Sequence, residues 1–193
     1  MRWSRVEAST KRTIVNLLAV FLVTSLIGYL FALKNPELTA GVVNEIAREI
    51  VRKIGPVSNY GFEMFLKIFL NNSRVALLMF ISGLFFGLGP WFIMATNGFA
   101  VGLVVGFSHY SKGLSLVRLL LALLPHGIIE IPAIALAGVS GILWYREAVK
   151  GGTAEKRFIR GTERAIKLLG LSILLLLVAA AVETYVTPRV AGL

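Results

Sequence analysis

Long runs without a charged residue constrain this chain more than any other feature of its sequence. Residues 13–33 form an uncharged run of 21 residues, and residues 75–107 form one of 33 residues. A helix rises about 1.5 Å per residue, so the first run would be about 31 Å long, close to the roughly 30 Å of a bilayer's hydrocarbon core. The second run would be about 50 Å long as one helix and must break. We therefore expect several membrane crossings.

The composition agrees with a membrane protein and excludes several other classes. Hydrophobic residues make up 56% of the 193 residues and charged residues only 16%, which is too apolar for a soluble fold. The net charge is +10. Membrane proteins concentrate Lys and Arg in cytoplasmic loops, so this charge predicts a membrane orientation rather than a nucleic-acid partner. The chain has no Cys, which excludes disulfides, thiolate metal sites and cysteine catalysis.

The fold class that these runs predict is an all-α polytopic bundle of five spans, forming a single membrane domain over residues 1–193. Pro90 follows two glycines and should split the second run, because proline lacks a backbone donor and glycine permits a sharp reversal. Pro125 should make the next segment kinked or partly re-entrant. The predicted segments are a basic terminus at 1–12, spans at 13–33, 75–88, 91–107, 114–145 and 168–186, amphipathic helices at 34–74 and a basic linker at 146–167.

The segment 34–74 is predicted to form two amphipathic helices outside the membrane. The first follows Asn35, Pro36 and Glu37, which supply a cap, a proline at the first helical position and an acid in the first turn. The second covers residues 58–70 and is rich in aromatic residues, and we expect the second span to extend backward through residues 65–74. Two interpretations remain open: the helices lie on the bundle or the membrane surface, or they form a platform that docks a partner.

The positions of the basic residues predict the orientation in the membrane. Residues 1–12 carry four Lys and Arg residues and residues 146–167 carry seven. Five crossings place both segments in the cytoplasm, as the positive-inside rule requires, whereas four crossings would leave the linker outside. We therefore expect a multi-pass protein of the cell membrane with a cytoplasmic N-terminus, an external C-terminus and external amphipathic helices.

Small residues recur every fourth position on three predicted helices. This spacing lets helix backbones approach closely. It favours packing between the chain's own helices, with a homo-oligomer as the alternative. The three stripes are Gly83 and Gly87; Gly98, Gly102 and Gly106; and Ala133, Ala137 and Gly141.

An intramembrane polar site is predicted around His126 and Glu130. These residues are four apart and therefore share one helical face inside an apolar segment, where ionisable groups are costly. Asn97 is a strongly polar side chain on the third span, at a similar predicted depth. We expect a hydrogen bond between Asn97 and Glu130, which would complete a site of three residues.

Three interpretations of this site compete: a polar clasp that fixes helix register, a proton or ion relay, and a metal or hydrolytic site. The third is the least favoured, because a zinc centre needs three or four ligands and no sequence motif supplies them. We accordingly predict no metal, no cofactor and no catalytic residue. Arg118 and Glu183 are predicted near the external ends of their spans, either as an interfacial ion pair or as side chains that reach the headgroups.

Two blocks of the sequence resemble the stage II sporulation protein M family. Together they cover about residues 65–144, and their ordered spacing is more specific than a single glycine motif. The resemblance implies a five-span protein with a cytoplasmic N-terminus. The first block runs from Phe69-Leu70-Asn71-Asn72-Ser73-Arg74 through the glycines at 83, 87 and 89 to Asn97-Gly98, and the second is Leu124-Pro125-His126-Gly127 with Glu130 and residues 133–141. The family positions carried over are Asn72, Asn97, Pro125, His126, Gly127 and Glu130.

The resemblance also implies a function. In spore-forming bacteria such proteins look like non-enzymatic membrane scaffolds that recruit peptidoglycan-degrading partners during engulfment, and many relatives occur where no spores form. We therefore predict a membrane scaffold or assembly protein rather than an enzyme, with the lipid bilayer and other membrane or envelope proteins as its partners. The alternative is a small transporter or channel component in which His126, Glu130 and Asn97 form a polar relay.

The predicted orientation can be tested because the chain has no native Cys. In intact cells, Leu193→Cys should react with a membrane-impermeant maleimide, whereas Ser4→Cys should react only after the membrane is opened. Labelling of both positions from the same side would contradict an odd number of crossings.

Overall fold

The computed structural model describes residues 2–54, 61–150 and 153–192, which form seven helices and, within these ranges, no strand. The all-α fold with five spans is confirmed, because five of the helices are long and apolar enough to cross a membrane. The helices are α1 (Arg2–Lys34), α2 (Pro36–Ile54), α3 (Phe62–Leu84), α4 (Gly89–Tyr110), α5 (Leu116–Ala148), α6 (Ala154–Tyr185) and α7 (Thr187–Ala191). The candidate spans are Ser9–Lys34, Phe62–Leu84, Gly89–Tyr110, Leu116–Ala148 and Gly161–Tyr185.

The break in the second uncharged run lies where the sequence predicts it. α3 ends at Leu84, and α4 begins at Gly89 with Pro90 in its first turn. In the connecting turn Phe86 and Gly87 have positive φ angles of 54° and 70°. Glycine adopts this conformation without a steric penalty, which a Cβ atom would impose. The reversal therefore depends on Gly87 and on the proline that starts the next helix.

The second span extends backward through residues 65–74, as expected, and two boundaries differ from the prediction. The second amphipathic helix is part of α3, which begins at Phe62 and continues into the second span without interruption. No Gly or Pro lies between residues 62 and 82 to end the helix. Residues 58–60, where this helix was predicted to begin, lie outside the described residues. In addition, α6 begins at Ala154, so most of the basic linker belongs to the last long helix.

The helix α5 continues through both of its prolines, Pro125 and Pro132. It is thus a single span rather than a re-entrant segment. A proline removes one backbone donor, and membrane helices tolerate this where neighbouring helices pack around the freed carbonyl group. Both prolines lie on the part of α5 that faces other helices, and neither is exposed.

The glycine contacts show that α1 and α4 run parallel. A Cβ atom built on each of three α4 glycines would meet a carbonyl oxygen of α1, and the residue numbers rise together along both helices. The pairs are Gly98 with Phe21 at 2.4 Å, Gly102 with Ser25 at 2.0 Å and Gly106 with Tyr29 at 2.8 Å. The stripe is therefore occupied by α1, and it is not available for self-association.

Contacts between α3, α5 and α6 give the directions of these three helices. Gly83 of α3 touches the backbone of Gly141 of α5, and Met79 lies against Gly138, so these two helices are parallel. α6 is antiparallel to α5, because Trp144 Nε1 donates to Thr162 Oγ1 at 3.0 Å near one end and further contacts, described below, join the opposite end. With the reversal between α3 and α4, the first and last spans run in the same direction, as five crossings require.

Candidate functional site

Three ionisable side chains meet inside the bundle: His126, Glu130 and Glu183. One ligating atom from each lies within 4.8 Å of the other two, and all three residues are partly buried. His126 and Glu130 are one turn apart on α5, as the sequence predicts, whereas Glu183 comes from the antiparallel α6. We call this set the His-Glu-Glu cluster. It brings together two carboxyl groups and an imidazole from two helices.

The start of α7 closes the cluster on one side. Thr187 is 4% exposed, and its Oγ1 atom lies 3.2 Å from Nδ1 of His126. Pro188 suits the first turn of a helix because it has no N–H that needs a partner there. At the other end of α7, Arg118 donates from Nη2 to the carbonyl oxygen of Gly192 at 3.3 Å. The C-terminal helix is thus tied to α5 at two points.

Asn72 of α3 supplies a buried amide next to the cluster. Its side chain interacts with the carboxyl group of Glu130 as a hydrogen-bond donor, although Nδ2 makes no hydrogen bond of good geometry. The Oδ1 atom accepts from Asn71 Nδ2 at 3.3 Å, which leaves Nδ2 to face the carboxyl group. A donor in this position can orient the carboxyl group of Glu130.

No Lys or Arg side chain forms an ion pair with either acid of the cluster within the described residues. The ion pairs there involve other carboxylates, on α2, at Glu63, at Glu147 and at Glu163. Two ionised carboxylates this close would repel each other strongly in a low-dielectric interior. The cluster must therefore hold a proton, on a carboxyl group or on His126, or a cation.

The structure does not bring Asn97 to the cluster. Asn97 lies on the exposed face of α4, and the hydrogen bond predicted between Asn97 and Glu130 is wrong. The neighbouring Gly98 packs against α1, which turns Asn97 outward. Depth along the membrane does not determine which helix faces Glu130. Asn72, selected in the sequence only through the family resemblance, takes that position.

The predicted ion pair between Arg118 and Glu183 is also absent from the described chain. Arg118 instead contacts the Gly192 carbonyl group, and Glu183 turns towards α5. Sequence reasoning missed Glu183 and Thr187 as parts of the site. The available signal for Glu183 was that it is the single acid in an otherwise apolar final span, since intramembrane acids tend to be functional. No comparable signal marks Thr187.

The other predicted motif positions have structural surroundings. Pro90 packs against α5, because a Cβ atom at Gly138 would meet it at 2.8 Å. Gly127 lines an apolar cavity of about 550 Å³ between α1, α4 and α5. Neither His126 nor Glu130 lines this cavity. A hydrolytic site at His126 would need a cavity that opens onto this residue. The apolar cavity does not do so.

Comparison with known proteins places the chain among uncharacterised relatives. A profile of the family described as stage II sporulation protein M matches residues 17–188. One uncharacterised protein of Methanocaldococcus jannaschii is 35% identical over 133 residues, which cover 66% of this chain and 72% of that protein. A second uncharacterised protein of the same organism is 33% identical over 132 residues, which cover 65% of this chain and 56% of that protein. No solved structure matches.

The two asparagines provide a matched test of the site. Asn72→Ala should lower the free energy of unfolding by about 1–3 kcal/mol, because it removes a buried donor from Glu130. Asn97→Ala changes an exposed side chain and should stay within about 0.5 kcal/mol of the parent. Reversible unfolding in mixed detergent micelles measures both. Equal effects of the two substitutions would show that Asn72 has no special place beside the cluster.

Proposed function

The chain belongs to the stage II sporulation protein M family, and we propose that it acts as an integral membrane scaffold or assembly protein, organising partner proteins at the cell membrane. The basic segments at 1–12 and 146–167 support a cytoplasmic N-terminus. With this orientation α2 lies on the external side. The observation that carries the proposal is the exposed surface of α2.

Only the first half of α2 has residues that are buried in the bundle. Thr39 is 1% exposed, and Val43 packs in a small cluster with Ala32 and Leu103. From Asn44 to Lys53 no residue is fully buried. The helix is therefore accessible along its second half, over about ten residues or about 15 Å.

The second half of α2, residues 44–53, is amphipathic. Arg52 pairs with Glu49 at 2.7 Å and Lys53 pairs with the same carboxylate at 3.6 Å. Val42, Ile46 and Ile50 lie four residues apart along one face of α2, and Val42 and Ile50 are each 47% exposed. An exposed apolar stripe on a helix gains stability when it is buried at the lipid interface or in a partner's groove.

A groove between α2 and α3 adds a concave surface to this stripe. It has a volume of about 450 Å³, and its lining combines apolar side chains of α2 with Glu49 and with Asn71 of α3. A mixed lining of this kind suits a protein segment, whose polar groups need partners, better than it suits a lipid chain. The groove therefore supports an envelope protein, rather than a lipid, as the molecule that binds there.

Site-specific photo-crosslinking tests this surface in the cells that make the protein. A photoreactive residue at Ile50 should yield a discrete protein adduct. The same residue at Leu171, which is 49% exposed on the membrane span α6, should yield only lipid adducts. Both variants share similar exposure, so the difference isolates the surface. Lipid adducts alone at both positions would contradict a docking role for α2.

The His-Glu-Glu cluster favours a second candidate function, a small transporter or channel component. The relay would consist of His126, Glu130 and Glu183, because Asn97 lies elsewhere. Ionisable residues inside a membrane bundle commonly mark ion or proton pathways.

Flux measurements decide between the two candidates. If the second is correct, vesicles containing the parent should conduct protons or cations, Glu130→Gln should abolish most of that flux, and Glu63→Gln should retain it. Glu63 is a suitable control because it is an exposed acid on α3, paired with Lys67 at 2.7 Å. Flux no greater than in protein-free vesicles would contradict transport and leave the scaffold proposal intact.

A further inference from the structure

We propose that the His-Glu-Glu cluster binds one divalent metal cation of the class that accepts both nitrogen and oxygen ligands, such as Zn²⁺ or Mn²⁺. The three ligating atoms lie within 4.8 Å of one another. A cation at the centre of a triangle with sides of that length would be at most about 2.8 Å from each atom, compared with the about 2.0–2.2 Å that Zn²⁺ prefers. Closing this difference needs side-chain movements of less than about 1 Å.

The residue types match such a cation. An imidazole and two carboxylates supply nitrogen and oxygen donors, and zinc centres use both. A nitrogen donor also favours Zn²⁺ or Mn²⁺ over Mg²⁺, which prefers oxygen ligands and retains its waters. Two carboxylate charges would balance the charge of one divalent cation, and no Lys or Arg of the described residues forms an ion pair with either of them.

The second sphere is arranged as metal sites require. The contact between Thr187 Oγ1 and Nδ1 of His126, at 3.2 Å, holds the orientation of the ring. Asn72 is only 7% exposed, and its Nδ2 atom has no other partner and faces Glu130. Partners of this kind fix the orientation of ligating histidines and carboxylates. The buried and incompletely bonded amide is an observation independent of the three ligands.

A bound cation would connect α5 to the end of α6. His126 and Glu130 belong to α5, and Glu183 lies two residues before α6 ends. The adjoining α7 would then be held in place as well, because Thr187 contacts His126. This inference goes beyond the proposed scaffold function and does not depend on it, since a cation can stabilise the bundle whether or not α2 docks a partner.

Binding can be measured on the purified full-length chain without a histidine tag. Zn²⁺ and Mn²⁺ should bind with a stoichiometry of one and raise the midpoint of thermal unfolding by about 5 °C or more at a hundredfold excess over Kd. Mg²⁺ should have little effect. His126→Ala and Glu183→Gln should each weaken binding at least about tenfold, since loss of a second-sphere partner alone costs about 10–100-fold.

His109→Ala is the matched control for adventitious binding by histidine. The ring of His109 lies near the end of α4, where Nδ1 is 2.8 Å from the carbonyl oxygen of Leu114. This variant should bind Zn²⁺ as tightly as the parent. Loss of binding in His109→Ala, or retention in both cluster variants, would overturn the assignment. So would a parent that shows no saturable binding.

A spectroscopic measurement keeps the proposal testable if a cluster variant fails to fold. X-ray absorption of the Zn²⁺-loaded parent should show imidazole scattering together with oxygen ligands at about 2.0–2.2 Å. A spectrum with oxygen ligands and no imidazole would overturn the site. Flux and crosslinking report separately on the two functions above, so failure of metal binding and failure of the proposed function are distinguishable.

Discussion

Close approach of helix backbones at small residues is the constraint on which the rest of this structure depends. Lipid chains are as apolar as the helices, so packing at close range, rather than exclusion from water, must join the spans. Gly83 against Gly141 sets the register of α3 on α5. Asn72 and Glu130 each lie eleven residues before those glycines on two parallel helices. The same packing that stabilises the bundle therefore places the amide beside the acid.

The groove beside α2 and the His-Glu-Glu cluster meet on α3. Asn71 lines the groove beside α2, while the adjacent Asn72 faces the His-Glu-Glu cluster, and the two amides are hydrogen-bonded to each other. A partner that fills the groove would touch Asn71. The groove and the polar cluster are thus neighbours on α3, although their chemistry differs.

Features set by local backbone geometry agree with the predictions from sequence, whereas features set by contacts between distant helices do not. The break at Pro90 and the pairing of His126 with Glu130 on one face follow from local backbone geometry, and both are confirmed. The re-entrant alternative at Pro125 was wrong because local reasoning cannot include the neighbouring helices that support a proline. Asn97 was assigned to the site by depth alone, and depth does not reveal which helices are adjacent.

Hydrophobicity and charge along the chain determined by themselves that it forms five membrane helices, because backbone polar groups in lipid must be satisfied within each helix. The proximity of His126 and Glu130 was determined in the same way, by helical periodicity. Only the tertiary structure decided that Glu183, Thr187 and Asn72 join them. Those contacts depend on which helices pack together and in which register, and that choice is made by side-chain and backbone fit between segments far apart in the sequence.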